Sequence, residues 1–396
     1  MKMTQKLYEN DSFLWVGKCR VTSCEKTDGG FAVTTDSTLF FPEGGGQPGD
    51  RGTIGNSQVT DTFFDGEGEI IHLCKTPLEP GKEYDTAVDG EFRLDNIQQH
   101  TGEHMLSYAF WKLFGINNVG FHMNSGFATI DLEREVTGEE IKAAEDFANG
   151  QIYQNLPIRT YYSTVGELKN KKVRKISEKG GERPRVVEIE GGDICTCCGT
   201  HASFTGTVGI IKITKAEKNR SGSRLEFLCG KRAFDLFRAQ SETAKRSAEM
   251  FSTEFSKLPD RISDLKQKLS EQSLLLKQKT EMLCDYRSKE IAKSALNGLA
   301  VSFSHNMTQK EARVLLNKAA EQVECAVLVF SEGERINYVL SAKKDGKYDC
   351  KYLCELLNGL YSGKGGGSKT FAQGGGNFCS DWRERGEIFK KTAGRM

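Results

Sequence analysis

Short apolar segments alternate with turn clusters at the start of the chain. Apolar residues at 13–16 and 31–33 flank a polar, glycine-rich turn at 27–30. Closely spaced apolar segments that are separated by Asp and Gly turns are typical of short antiparallel strands. We therefore expect residues 1–90 to form a small antiparallel sheet or β-barrel.

The pattern becomes helical from residue 92 onward. Apolar residues recur at the 3.6-residue period, at Leu94, Ile97, Met105 and Tyr108, which predicts a helix of about twenty residues. Strand-like segments follow at 127–132, 186–189, 208–213 and 224–228. A second helix is predicted at 138–154, because Thr137 followed by Glu140 is a capping-box pattern. Residues 91–230 therefore form a predicted two-layer α/β domain.

Residues 231–297 have a helical pattern that is interrupted at Leu258 and Pro259. Proline is tolerated in the first turn of a helix, so the pattern predicts a helical hairpin. An apolar residue recurs every seven positions, at Ile262, Leu269, Leu276 and Leu283. The companion positions are only half apolar, which indicates a weak coiled coil. It fits packing within the chain or a homodimer, which the C-terminal region could also mediate.

The last hundred residues return to alternating helices and strands. The pattern predicts helices at 309–323 and 352–361 and strands at 326–330 and 336–341. We expect a C-terminal α/β domain over 298–396. The predicted fold class is thus α+β with several domains, as expected for 396 residues.

Charge and cysteine usage restrict the class of protein further. The chain has 55 Lys and Arg against 54 Asp and Glu, so any basic surface must be local. The 12 cysteines are irregularly spaced, and the chain shows neither a membrane-spanning apolar stretch nor a signal-peptide pattern. These features predict a cytoplasmic protein with mostly free thiols and no membrane partner.

Two pairs of side chains with four-residue spacing point to a metal site. His100 and His104 fall on one helix face, and Cys197 and His201 repeat the spacing about a hundred residues later. Two histidines alone are more often core or surface residues. Both pairs together give three imidazoles and one thiolate, a ligand mixture that Zn²⁺ prefers.

Two glycine-rich stretches and one basic stretch are candidate anion-binding segments. The consecutive Gly44, Gly45 and Gly46 allow close backbone approach and offer amide N–H groups, although a surface hairpin is the alternative. The segment 363–376 has two glycine triplets beside Lys364 and Lys369; it is either a backbone cradle for phosphate or RNA or a flexible loop.

The basic segment 169–185 contains the candidate phosphate-binding residues Lys171, Lys172 and Arg174. Such a segment is either a solvated face or a set of salt-dependent contacts to phosphates.

Four motifs resemble, as a set and in this order, those of freestanding alanyl-tRNA editing proteins, which are relatives of the alanyl-tRNA synthetase editing domain. They are FFPEGGGQP at 40–48, HTGEH at 100–104, VGFH at 119–122 and CCGTH at 197–201. The C-terminal glycine segment resembles the DHHA1 domain of the long form of that family. The resemblance covers nearly the whole chain.

The resemblance implies a deacylase that hydrolyses the ester of tRNA-Ala mischarged with serine or glycine. It implies Zn²⁺ held by His100, His104, Cys197 and His201. The glycine motif arrives by residue 44, so we expect editing in trans without aminoacylation. The general base stays unassigned, because the spacing does not show whether Glu103 faces the pocket.

The same resemblance suggests three pocket residues, Thr38, Gln47 and His122. Thr38 is expected to contact the serine hydroxyl, with a structural strand threonine as the alternative; His122 lines the pocket or is an ordinary loop residue. Cys198 departs from the family pattern, which usually has glycine there, and is a second candidate thiolate. The four-residue spacing favours Cys197.

Two other functions fit the sequence. One is a zinc-stabilised tRNA-binding module without catalysis. The other is a deacylase for another mischarged tRNA, such as Ser-tRNA-Thr. The glycine motif and the C-terminal segment favour the alanine system.

Overall fold

The computed structural model describes residues 4–177, 181–220 and 222–395. Residues 178–180 of the predicted basic segment therefore lie outside the described residues. The chain forms two compact units, Met1–Arg246 and Ser247–Met396. The α+β class with several domains is confirmed, whereas the four predicted domain boundaries stay predictions.

The first unit begins with a closed antiparallel barrel, as the alternating pattern predicted. Its strand order is β2-β3-β7-β6-β5-β8, and a short parallel pair, β1 and β4, lies outside it. Residues that alternate along the strands, such as Val21, Val33 and Val59, are fully buried in its apolar core. The strands are β1 Gln5–Lys6, β2 Val16–Thr27, β3 Gly30–Thr35, β4 Ser37–Thr38, β5 Gly52–Ile54, β6 Ser57–Phe64, β7 Ile70–Cys74 and β8 Glu83–Val88.

Two helices and a four-stranded sheet follow the barrel. Helix α1 spans Gly90–Phe114 and α2 spans Gly138–Gln154, where the predicted capping box of Thr137 and Glu140 is present. The antiparallel sheet has the order β14-β15-β10-β9 and shares an apolar core with both helices. The sheet strands are β9 Asn118–Met123, β10 Ala128–Leu132, β14 Ile211–Asn219 and β15 Gly222–Cys229.

A separate three-stranded sheet carries the cysteine-rich segment. It consists of β11 Ile158–Tyr162, β12 Arg185–Ile189 and β13 Ile194–Thr196, and the short helix α3 Val165–Lys169 follows β11. The strand predicted at 208–213 begins only at Ile211, because Gly209 has a φ of +79° and ends a single helical turn there. Cys197 is the first residue after β13.

A buried ion pair joins α1 to the glycine-motif stretch of the barrel. Arg93, in the first turn of α1, pairs with Asp50, and both side chains are fully buried. The guanidinium also donates to the carbonyl oxygens of Leu39, at 2.6 Å, and Ser12, at 2.9 Å. Because these acceptors lie on separate segments, Arg93 fixes the start of α1 against residues 39–50.

The second unit is built on a five-stranded sheet of order β16-β17-β18-β20-β19. Strands β16 and β17 are parallel and joined by α6, and the remaining pairs are antiparallel. The elements are α4 Gly230–Met250, which crosses the boundary between the units, then α5 Leu258–Lys293, β16 Leu299–Ser304, α6 Gln309–Ala320, β17 Cys325–Glu332, β18 Arg335–Ala342, α7 Cys350–Tyr361, β19 Lys364–Gly367, β20 Phe371–Asn377 and α8 Trp382–Ala393. The predicted C-terminal α/β alternation is therefore present.

Three features of this unit bear on the sequence predictions. Pro259 lies in the first turn of α5, as predicted. The heptad residues of α5 are exposed in this chain, from 38% at Ile262 to 68% at Leu276, so the predicted homodimer stays a prediction. The glycine segment 363–376 forms the hairpin β19–β20, with Gly365 opposite Gly374, and is not a structureless loop.

None of the described helices has the length and apolar character needed to cross a bilayer.

We predict that Arg93→Met lowers the free energy of opening of α1 by about 3–5 kcal/mol, because Asp50 is left buried without its partner. Amide hydrogen exchange of α1 peptides measures this energy. The double variant Arg93→Met/Asp50→Asn should recover part of the loss, since the uncompensated charge is gone.

The matched control is Lys18→Met, which removes a surface ion pair with Glu83 whose side chains are 66% and 52% exposed. Lys18→Met should change the free energy of opening of α1 by only about 0–1 kcal/mol. A double variant no more stable than Arg93→Met would show that the buried charge is not the source of the loss.

Candidate metal centre

Helix α1 places the first two candidate ligands on one buried face. Asp89 caps its start by accepting from the Phe92 N–H, and Gly115 ends it in the left-handed conformation. Every residue from Gln99 to Phe110 is buried, so His100 and His104 face the protein interior. Their ring centroids are 5.4 Å apart.

The segment after β13 brings the other two candidates to the same place. The Cys197 Sγ lies 3.4 Å from the His100 Nε2 and 3.3 Å from the His201 Nε2. One ligand atom from each of His100, His104, Cys197 and His201 lies within 4.8 Å of all the others. The structure therefore brings the four predicted ligands together in a cluster that could hold a metal ion.

Each histidine ring is held on its Nδ1 side. His100 Nδ1 lies 2.9 Å from Gln47 Oε1, and His201 Nδ1 lies 3.4 Å from Thr101 Oγ1. The Gln47 Oε1 also accepts from the Thr200 N–H, so it must accept from His100 as well. This fixes the proton of His100 on Nδ1 and leaves Nε2 as the ligand atom.

His104 is held by a carboxylate that is itself held by arginine. Its Nδ1 lies 3.3 Å from an oxygen of the buried Asp193. Arg174 donates to both oxygens of Asp193, at 2.9 and 2.7 Å. Burial opposes ionisation of Asp193, but Arg174 and His104 outweigh it and lower its pKa to about 2. An ionised carboxylate behind a histidine is a common support for a metal ligand.

The pKa values separate the three nearby cysteines. Burial alone would raise the pKa of Cys197, but the neighbouring His100 outweighs it and holds that pKa well below its usual value. The Gly199 N–H also donates to its Sγ, at 3.4 Å. Burial raises the pKa of Cys195 to about 11, and it also raises the pKa of Cys198. Cys197 is therefore the cysteine with thiolate character, which metal binding requires.

The close approach of the cysteine segment to α1 requires glycine at one position. A Cβ at Gly199 would lie 2.2 Å from the His100 Cε1. Arg185 holds the same segment by donating to the carbonyl oxygens of Cys197, at 3.2 Å, and Gly199, at 2.8 Å. The ligand geometry thus depends on a glycine and on a buried arginine.

The ligands line one side of a cavity of about 280 Å³. Three of the four ligands face the cavity, together with one acidic and several basic side chains. The lining residues that matter for the chemistry are Gly45, His100, Glu103, His104, Arg174, Lys175, Arg185 and Cys197. The cavity therefore combines charged side chains with a metal-binding wall.

The three glycines of the glycine motif and Thr38 take different positions in the first unit. Gly45 lines the cavity, Gly46 packs against Phe121, and Gly44 pairs with Gln47 through the backbone. Thr38 is buried in the first unit, where its hydroxyl lies 2.7 Å from the His72 Nε2 and accepts from the Phe40 N–H. This arrangement matches the structural strand threonine, and a substrate contact of Thr38 stays a prediction.

His122 does not line this cavity, which corrects one of the two interpretations of that residue. Side chains alternate along β9, so Phe121 stacks on His100 at 5.2 Å between ring centroids while His122 is exposed on the other side. It lines a separate surface depression with Thr129 and Arg224.

The basic candidates take different positions. Lys171 is engaged by Tyr161, at 2.9 Å, and by Glu188, at 3.3 Å. Arg174 has a side chain only 5% exposed and serves Asp193, so it supports the metal site from within. Lys172 is exposed, and so are Lys364 and Lys369 in the second unit.

Sequence reasoning missed Asp193, Arg185 and the inward orientation of Glu103. Asp193 follows two glycines with no periodic pattern, and Arg185 was counted as one more member of the basic segment. Only their contacts reveal their roles. The position of this acid next to a cysteine-rich segment was the one available signal.

The chain is similar to several known proteins. Residues 185–225, which include Cys197 and His201, match the family model described as threonyl and alanyl tRNA synthetase second additional domain. Alanine--tRNA ligase of Methanospirillum hungatei is 30% identical over 91% of this chain and 41% of its own length.

Two freestanding proteins are also similar. Alanyl-tRNA editing protein Aarsd1 of Rattus norvegicus is 35% identical over 57% of this chain and 59% of its own. Alanyl-tRNA editing protein AlaX-L of Pyrococcus horikoshii is 30% identical over 94% of each chain. Because that similarity extends over nearly the full length of both proteins, the chain belongs to the alanyl-tRNA editing proteins.

Proposed function

We propose that this protein hydrolyses the ester that joins a wrongly attached amino acid to tRNA-Ala. In this reaction water adds to the ester carbonyl carbon, the bond to the ribose oxygen breaks, and the free amino acid and the tRNA leave. The observation that carries the proposal is a metal-ligand cluster that lines a cavity together with charged side chains. The membership of the chain in the alanyl-tRNA editing proteins supports it.

We propose Zn²⁺ as the metal. Three imidazoles and one thiolate suit it, and the ligand chemistry fits: burial lowers the pKa of His201 to about 3, so its ring is neutral, while Cys197 has thiolate character. Zinc with all four ligands would order the pocket, and with one ligand released it would polarise the ester carbonyl. Asp193 and Gln47 would orient the ligands in either case.

We propose serine and glycine as the amino acids removed. A synthetase pocket for alanine cannot exclude the smaller glycine or the isosteric serine strongly, because one methylene or hydroxyl in an apolar pocket discriminates by only about 1–3 kcal/mol. A separate hydrolytic site corrects such errors. The small cavity agrees with short side chains.

The RNA contacts proposed for this chain involve both units. Lys175 lines the cavity and Lys172 is exposed on the same segment, so they are candidates for the phosphates of the acceptor end. Gly45 offers backbone at the cavity rim. Lys364 begins the exposed strand β19 and Lys369 lies in the turn between β19 and β20, where the glycines let another backbone approach closely. The exposed heptad residues of α5 support a homodimer.

A tRNA-binding module without catalysis is less well supported. A purely structural metal site is closed, whereas His100, His104 and Cys197 all line the cavity. Because the matching family model describes both threonyl and alanyl synthetases, the substrate must be tested directly. Deacylation of Ser-tRNA-Ala and Gly-tRNA-Ala, with Ala-tRNA-Ala and Ser-tRNA-Thr spared, is the expected result.

We predict that Cys197→Ala lowers bound zinc and abolishes deacylation, while Cys198→Gly leaves both largely unchanged. Of these two cysteines, Cys197 contacts His100 and His201 and has a lowered pKa, whereas the pKa of Cys198 is raised. Metal content and deacylation rate should be measured on the same preparations. Loss of zinc in Cys198→Gly, with zinc retained in Cys197→Ala, would transfer the ligand role to Cys198.

Asp193→Asn should weaken zinc binding about 10- to 100-fold, since the carboxylate behind His104 is lost. Competition with a chelator measures the affinity. The control is Asp131→Asn, which removes a similar pair with Arg224 in the sheet. An equal loss of affinity in both variants would indicate general destabilisation and would argue against orientation of His104.

Removal of residues 247–396 should weaken binding of full-length tRNA while the single-turnover rate at saturating protein is retained, because every proposed metal ligand lies in the first unit. Binding and rate are measured separately, on protein shown to be folded and zinc-loaded. A lost saturated rate in such protein would contradict this division.

A further inference from the structure

Glu103 is a nearly buried carboxylate with one oxygen free. It lies on α1 between two metal ligands and is 6% exposed. Its Oε1 accepts from the Ser107 hydroxyl, at 2.6 Å, and from the Asn118 amide, at 2.8 Å. Its Oε2 lies 3.7 Å from the His104 Nε2 and has no hydrogen-bond partner in the described part of the chain. The side chain is therefore held firmly while one oxygen remains available.

No lysine or arginine in the described residues pairs with this carboxylate. Among the described residues that line the cavity, Glu103 is the only acid, and the basic residues are Arg174, Lys175 and Arg185. Arg174 is bound to Asp193, and Arg185 is bound to two backbone carbonyls. A nearly buried carboxylate whose second oxygen has only the His104 ring nearby, at 3.7 Å, and which lines a cavity is suited to receive a cation from the ligand.

We propose that Glu103 binds the α-ammonium group of the aminoacyl ester through Oε2. The inference rests on the proposed deacylase function and specifies which esters that site accepts. In an aminoacyl ester the ammonium group and the carbonyl carbon are attached to the same α-carbon. Binding the ammonium next to His104 would therefore place the carbonyl beside the metal-ligand cluster.

This role defines a substrate class. Esters with a free amino group satisfy the carboxylate, whereas peptidyl or N-acylated esters have no ammonium and leave the carboxylate buried without a partner. The site would thereby spare peptidyl-tRNA. If Glu103 acted as a general base instead, hydrolysis of every ester would depend on it equally, with or without an ammonium group.

The test combines one substitution with one change in the substrate. Glu103→Gln keeps an oxygen that accepts from Ser107 and Asn118 and removes only the charge. Glycyl-tRNA-Ala is compared with glycolyl-tRNA-Ala, in which a hydroxyl replaces the ammonium. The ratio of variant to wild-type kcat/KM is taken for each ester, so that the difference in their intrinsic reactivity cancels.

We expect kcat/KM for the glycyl ester to fall about 10- to 100-fold in Glu103→Gln, as for loss of a charged hydrogen bond, with a fall of less than about threefold for the glycolyl ester. Glu139→Gln, the same change at an exposed first-turn residue of α2, is the matched control and should change neither rate. Bound zinc is measured in each variant. Equal losses on both esters, or no loss on either, would overturn the role of Glu103.

Wild-type protein provides a second measurement that does not depend on the folding of a variant. Its kcat/KM for each ester is divided by the rate of spontaneous hydrolysis in buffer. A preference of about tenfold or more for the glycyl ester is expected, and equal values would contradict ammonium binding. Protein that cleaves Ser-tRNA-Ala but shows no such preference would refute only this inference, whereas protein that cleaves no ester would refute the proposed function as well.

Discussion

The buried amide of Gln47 connects the parts of the protein that make the site. It is fully buried, its Oε1 faces His100 and the Thr200 N–H, and its Nε2 donates to the Thr200 hydroxyl at 2.8 Å. One side chain from the glycine motif thus bridges α1 and the cysteine segment. A buried amide with all these partners is stable only when the three segments are in register.

The metal-ligand geometry follows from this register. The histidines of α1 are placed by helix spacing, but the Cys197 segment reaches them only because Gly199 lets its backbone approach His100 and Arg185 holds its carbonyls. The ion pair of Arg93 and Asp50 fixes the same helix at its start. The site is therefore built from the glycine motif, α1, the cysteine segment and strand β12. Buried polar contacts fix each of these segments in addition to apolar packing.

Helix spacing and turn chemistry made much of this predictable. The four-residue spacings identified His100, His104, Cys197 and His201 as one cluster, and the capping box located α2 at its observed bounds. The alternation of apolar segments indicated the barrel. Each of these signals is local, so a single sequence contains it.

Contacts between distant segments could not be predicted in the same way. The roles of Asp193 and Arg174 depend on which side chain lies behind His104, and no spacing encodes that. The sequence left His122 open between a pocket-lining and a loop residue, because only the strand alternation of β9 shows that it points away from Phe121 and the cavity. The segment 363–376 forms paired strands although glycine disfavours them, since its neighbours β18 and α7 provide the packing.

The central claim is that one metal ion in the His100, His104, Cys197 and His201 cluster supports ester hydrolysis in the adjoining cavity. Titration of metal-free, folded protein with Zn²⁺, followed by deacylation of Ser-tRNA-Ala at each step, tests it most directly. We expect the deacylation rate to rise in proportion to the added Zn²⁺ and to stop rising at one equivalent per chain. Full activity in the metal-free protein, or no activity with one equivalent bound, would contradict it.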